Sequence, residues 1–247
     1  MTSFNPLAPV TDYQSMLNRI VWFTTAATLV AVWMLRLYIH ALDELLHKID
    51  FTVEFGGNKV LPIPGGYLFP ALAMGIVTRI FRLHAHISDW LRIRECFDVD
   101  VIVRELAAQL EFDLSTVADE QLVNARHSVM RKAFYAFVGG PHPQIDPQLV
   151  HRALDTWSWF WAGVEVTLVF VLASFCLIAG GAYEIGFLSL GGTFVFALNG
   201  LPAMRRQCQR YAIAQVRAIL ADSARAATVR AAFAELTDYQ LSGRRAA

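Results

Sequence analysis

Charge is scarce in this chain, and what there is cancels. Acidic and basic residues number 21 each, the formal net charge is zero, and charged residues make up 17% of the whole. Soluble domains carry about a quarter. No single-sign field is present to draw the protein to nucleic acid. Cysteine is nearly lacking too. Cys96, Cys176 and Cys208 lie far apart and form no CxxC pair, so neither a disulfide framework nor a zinc cage is expected. There is no glycine-rich phosphate loop, no GxSxG and no HExxH. Without these motifs the sequence predicts neither an enzyme nor a cofactor.

What the chain has in excess is apolar length. Hydrophobic residues make up 55% of it and the mean hydropathy is +0.41. Between Thr156 and Met204 only Glu165 and Glu184 are charged. At about 20 residues per crossing, this stretch reads as two spanning helices turning at Gly180-Gly181. Ile20 to His40 is another span, expected to stay as a signal anchor behind a loose polar leader. A further span is expected before Arg79. It is the weakest, because Pro62, Pro64, Gly65 and Gly66 interrupt its start and leave only about 12 apolar helical residues, or about 18 Å. A re-entrant or interfacial segment is the alternative.

The polar segments frame these spans. FTVEF (51–55) and VLPI (60–63) alternate around Gly56-Gly57-Asn58 and predict a small β-hairpin, with Pro62 and Pro64 confining its second strand to an edge. Val101, Ile102, Leu106 and Leu110 recur at helical spacing. Ser115 or Thr116 is placed to cap the next helix. Asp146 before Pro147 is a strong helix start, from which one helix runs unbroken to Gly180. Pro202 marks the membrane exit, before an Arg-rich helical tail. The segments are therefore a leader (1–18), a first transmembrane pair with its outer loop (19–78), a helical module (79–155), a second transmembrane hairpin (156–203) and a tail (204–247).

Arginine and lysine orient the chain. The 41–60 loop holds two, 79–155 nine and 204–247 eight. The two basic segments belong in the cytoplasm. The expected fold is thus an all-α integral membrane protein of the plasma (inner) membrane. It has four transmembrane helices, both termini cytoplasmic, a helical cytoplasmic module and a small extracytoplasmic β-hairpin.

Glu165 is the most specific candidate site residue. At 100° per residue, Gly163, Thr167, Ser174 and Gly181 share one close-packing stripe, and Glu165 points away from it. An ionisable group inside the hydrocarbon is a functional candidate, here pore-lining or proton-binding. The structural alternative is a neutral acid hydrogen-bonded to Asn199 or to a threonine of the first span. Arg36 and Glu184, both near outer helix ends, could pair across the interface or snorkel separately. Arg79, Arg82, Arg92, Arg94, Arg205, Arg206 and Arg210 gather just inside the membrane, where anionic lipid explains them and a small anionic ligand is the sharper reading. His84, His86 and Asp89 are close in sequence, but 84 and 86 do not share a helix face, so a solvated helix is preferred to a metal site. His142 and His151 have no supporting cluster.

The functional expectation is an oligomeric membrane channel or membrane effector. Its pore is built by a homo-oligomer and controlled by the cytoplasmic module, which would sense a protein or a small ligand. By architecture-level analogy this layout suits membrane-disrupting effectors of bacterial antiviral defence. The alternative is a non-conducting scaffold that anchors a cytoplasmic partner in an envelope complex. A membrane enzyme or proton-coupled carrier is third, since no second catalytic group accompanies Glu165.

Overall fold

The computed structural model describes residues 5–55, 59–115, 117–140 and 142–245, with backbone alone for 52–55, 59–62 and 237–245. Helix α1 (Tyr13–Tyr38) begins at a reciprocal cap. The Asp12 carboxylate accepts from the Ser15 N–H at 2.7 Å, and the Ser15 hydroxyl accepts from the Asp12 N–H at 3.1 Å. Two of the orphan donors of the first turn are thereby satisfied. The helix therefore starts seven residues before Ile20, and the described part of the expected leader, from residue 5 on, is held rather than loose. Arg19 is 3% exposed and donates to the Pro6 and Ala8 carbonyls at 3.0 and 2.5 Å, and to Ser158 at 2.7 Å. Its guanidinium also lies over the Trp159 ring at 4.6 Å.

After the short α2 (His40–His47), strands β1 (Phe51–Phe55) and β2 (Lys59–Ile63) pair antiparallel, Phe51 opposite Ile63 and Phe55 opposite Lys59. Helix α3 (Gly65–Phe81) follows, and α4 (Leu83–Trp90) leaves it at 63°. Short helices α5 (Ile93–Phe97) and α6 (Arg104–Gln109) are joined by a π-helical stretch, Asp98–Val103. A second π-helical stretch, Arg131–Tyr135, links α7 (Asp119–Met130) to α8 (Ala136–Val138). Helix α9 (Pro147–Ala179) opens where expected, with Gln148 N–H on the Asp146 carboxylate at 2.9 Å. It closes at Gly181 (φ +86°), where Ala182 N–H reaches the Leu177 carbonyl and Gly181 N–H the Ile178 carbonyl. That left-handed position favours glycine. Helix α10 (Tyr183–Leu220) runs through Pro202 without ending, and Asp222 caps α11 (Ser223–Arg245).

Two expectations about the fold are corrected. Among the described residues three helices, α1, α9 and α10, are long and apolar enough to cross a membrane, not four. The segment expected to be the other span is the broken pair α3–α4. The 17 residues of α3 reach only about 26 Å, short of the ~30 Å hydrocarbon core. The extracytoplasmic β-hairpin expected as part of the fold class is also withdrawn: the fold is helical, and the strands among the described residues pair only with each other. Two five-residue strands form a lone ladder in which Pro62 can donate nothing, and such ladders are marginal by themselves. The turn expected at Gly56-Gly57-Asn58 lies outside the described residues. Thr116 lies outside them too, and the N-cap of α7 is Ala118 rather than Ser115.

The chain divides into two compact units, one of residues Met1–Ala85 and Trp157–Arg205, the other of His86–Thr156 and Arg206–Ala247. In the first, Ala27 and Ala31 of α1 pack on Val169 and Ala173 of α9, with Met74 of α3 and Phe170 at the margin. Small side chains let the helices approach closely. This unit exposes Trp33, Leu72, Ile76, Ile80, Phe187, Leu188, Phe194 and Leu198. An exposed apolar surface of that extent suits lipid. With three such spans, the chain is a membrane protein. The second unit has its own core, including Phe97, Leu106, Met130, Phe134 and Phe233.

Candidate functional site

Three helices converge on one carboxyl. Glu165 of α9 is 0% exposed. Its Oε2 accepts from the Thr24 hydroxyl of α1 at 2.7 Å and from the Thr78 hydroxyl of α3 at 3.1 Å. Both threonines are buried. Oε1 has no hydrogen-bond partner among the described residues. It faces Nδ1 of His84 at 3.8 Å, and that nitrogen is likewise buried without a partner. The backbone N–H of His84 also approaches the carboxyl without completing a bond of good geometry.

The far side of the imidazole leads outward. His84 Nε2 lies 3.5 Å from the Tyr13 hydroxyl, and Tyr13 is 49% exposed at the start of α1. Trp161, one turn before Glu165, tilts against the His84 ring at 6.1 Å between centroids. His84 owes its place to the break after α3. In a straight helix, residues 78 and 84 would stand about 120° apart at 100° per residue, on different faces. Arg82 at φ +48° turns the chain so that both address Glu165. A non-glycine residue in the left-handed region is uncommon.

The other candidates sort differently. Asn199 is not Glu165's partner. It is exposed on α10, and its amide donates to the Val195 carbonyl at 2.9 Å. Of the two structural options, the first-span threonine is the one realised. The stripe on α9 meets α10. A Cβ on Gly163 would sit 3.1 Å from Leu201, and the Ser174 and Ser189 hydroxyls are 2.9 Å apart. Arg36 does not pair with Glu184. It is 7% exposed, bonded to Asp43 at 2.6 Å and Asp50 at 3.1 Å, with its guanidinium 4.1 Å above the Tyr67 ring. Local acids reached it first. Asp50 in turn accepts the Gly66 N–H at 2.7 Å. That bond, followed by Arg36, holds its carboxyl below the usual range.

The arginines do not form one group within a unit. Arg79, bonded to Asn18 at 2.8 Å, Arg82 and Arg205 belong to the membrane unit. Arg92, Arg94, Arg206 and Arg210 belong to the other. There Arg92 pairs with Glu95, and Arg94 donates to the Tyr135 hydroxyl at 3.2 Å. Asp98 is 5% exposed, with Arg126 at 3.8 Å and Arg94 at 3.9 Å. Burial pushes its carboxyl up to about 6, and the two arginines only partly oppose the rise. His86 and Asp89 are exposed while His84 is buried. No group of three metal-ligating side chains occurs among the described residues. His142 is exposed and His151 half-buried.

Thr24 was legible only as one of the first span's threonines, and Thr78, Tyr13 and Arg19 were not legible as site residues. A threonine in an apolar run carries no charge to betray it. A surface groove of about 380 Å³ between Val21, Thr25, Leu72, Gly75 and Ile80 is apolar and is not lined by Glu165.

The model of the YmfE protein family matches residues 12–235, from the cap of α1 into α11. The chain belongs to that family. No curated protein and no solved structure matches it.

Proposed function

We propose that this YmfE-family chain is the subunit of an oligomeric membrane channel or membrane effector in which proton binding at Glu165 governs opening. One observation carries the reading. A completely buried carboxyl sits among three helices, no basic side chain among the described residues bonds it, and one of its oxygens faces an imidazole nitrogen that has no hydrogen-bond partner among them. A purely structural contact would be served equally well by an uncharged side chain. Gain or loss of one proton changes the charge at the point where α1, α3 and α9 meet, and such a change can bias their packing. Glu165 is enclosed within its own subunit, so the reading favours a controlling role over lining a pore.

Copies of the chain meet, in this proposal, along α10. Leu188, Gly192, Val195 and Asn199 share one exposed face there. An amide that is both donor and acceptor suits a symmetric contact in lipid. The basic segments 79–155 and 204–247 lie in the cytoplasm, the membrane is the bacterial inner membrane, and the second unit receives the controlling protein or small anionic ligand. Antiviral defence is the setting this layout fits by analogy alone.

The test is ion flux in liposomes carrying the purified chain, together with the mass of the detergent-solubilised particle. An oligomer whose flux depends on pH and disappears in Glu165→Gln is the expected result. A monomer, or full flux in Glu165→Gln, overturns the proposal. No flux with stable co-purification of a partner supports the scaffold instead.

A further inference from the structure

We propose that His84 and Tyr13 are the route by which protons reach and leave Glu165, entering at the N-terminal end of α1. This rests on the reading that Glu165 binds a proton. The geometry leaves few other ways in. Glu165 and Thr24 are 0% exposed and Thr78 is 2% exposed. Both threonine hydroxyls already donate to Oε2, so they hold that oxygen and do not conduct away from it. Oε1 is the open oxygen, and the group facing it is Nδ1 of His84. The opposite ring nitrogen faces the hydroxyl of Tyr13, which is half exposed. One imidazole therefore separates the sealed carboxyl from a side chain at the surface.

Imidazole is suited to the task because its two nitrogens can take up and release protons on opposite sides. Uptake begins with a neutral ring carrying its proton on Nδ1. A proton arriving at the Tyr13 side binds Nε2 and makes the imidazolium. The Nδ1 proton then passes to Oε1 of Glu165. The carboxylate becomes a neutral acid and the ring is left neutral with its proton on Nε2. Release is the same sequence reversed. The gaps of 3.8 and 3.5 Å are longer than working hydrogen bonds, and rotation of the ring about its Cβ–Cγ bond shortens them in turn. Trp161 limits that rotation from one side.

The charged groups nearby in this unit are held elsewhere. Arg19 of α1 binds Pro6, Ala8 and Ser158, Arg79 of α3 binds Asn18, and Arg82 occupies the break and is exposed. His84 and Glu165 are thus the two titrating side chains in contact at the site, with Tyr13 beside the imidazole.

The experiment is infrared spectroscopy of the full chain in lipid. The carboxylic acid C=O band of Glu165 is assigned by its loss in Glu165→Gln. Its shift after transfer into heavy water then gives the rate of proton exchange. His84→Phe is expected to slow that exchange about a hundredfold, the scale of a well-placed acid–base group, and added imidazole should restore part of it. Should His84→Phe not fold, His84→Gln keeps a polar side chain that cannot pass a proton through. Tyr13→Phe should slow exchange less, because water can replace the hydroxyl. Unchanged exchange in both His84 variants overturns the route, and so does absence of a Glu165 acid band at every pH where the chain stays folded. If exchange depends on His84 while flux is full in Glu165→Gln, the route stands and the proposed control of opening fails.

Discussion

Asp98 is packed between Arg94 and Arg126, yet neither guanidinium comes closer than 3.8 Å, too far to repay the loss of water. Its carboxyl therefore titrates near 6 in the fold, against 3.8 ordinarily. The fold prefers the protonated form. The stabilisation this gives is fully present below 3.8 and is lost as pH rises through about 6. The change is on the order of 3 kcal/mol between the two limits. Thermal unfolding of the full chain should thus show a midpoint that falls over this window. Asp98→Asn, which cannot ionise, should flatten the profile, and an unaltered profile would assign the titration to another group. Sequence reading found Glu165 because a lone charge in an apolar run is conspicuous. It could not find Asp98, which is one of many acids in a polar segment, and only packing distinguishes it. Thr78 was hidden for the opposite reason, as a neutral residue in apolar surroundings, and Thr24 could be told from the other threonines of its span only by packing.

Elements were legible where local chemistry dictates them. The Asp146-Pro147 start and the Gly181 end of α9 follow from capping rules, and the structure has both. The bend between α3 and α4 was not legible, because no glycine or proline marks it. Arg82 adopts φ +48°, a conformation costing a side-chain-bearing residue about 1–2 kcal/mol. Arg82→Gly should relieve that cost and leave the melting temperature equal or higher. Arg82→Val should lower it by the equivalent of about 1–2 kcal/mol, because a β-branched residue resists this region most. If valine is tolerated as well as glycine, the 63° bend is not held by this residue. The four-span expectation failed at the same element. Charge balance demanded a crossing that the length of α3 does not provide by itself.

For the molecule as a whole, α9 and α10 form the strongest membrane signal. If both cross, the segments on either side of the hairpin share one face of the membrane. In a background with Cys96, Cys176 and Cys208 replaced, single cysteines at the exposed positions Arg92 and Arg206 should react with a membrane-impermeant reagent from the same side. Labelling from opposite sides would show that one of the two helices does not cross. The site within the membrane unit has a further bearing, on how the protein is made. Thr24 and Glu165 are separated by 141 positions, Arg19 and Ser158 by 139, and Thr78 and Glu165 by 87. At about 5–20 residues per second, α1 leaves the ribosome roughly 7–28 s before the helix that completes its hydrogen bonds. During biosynthesis the Thr24 and Thr78 hydroxyls are made before the carboxyl that accepts from them, and the arrival of α9 closes the assembly in one late step.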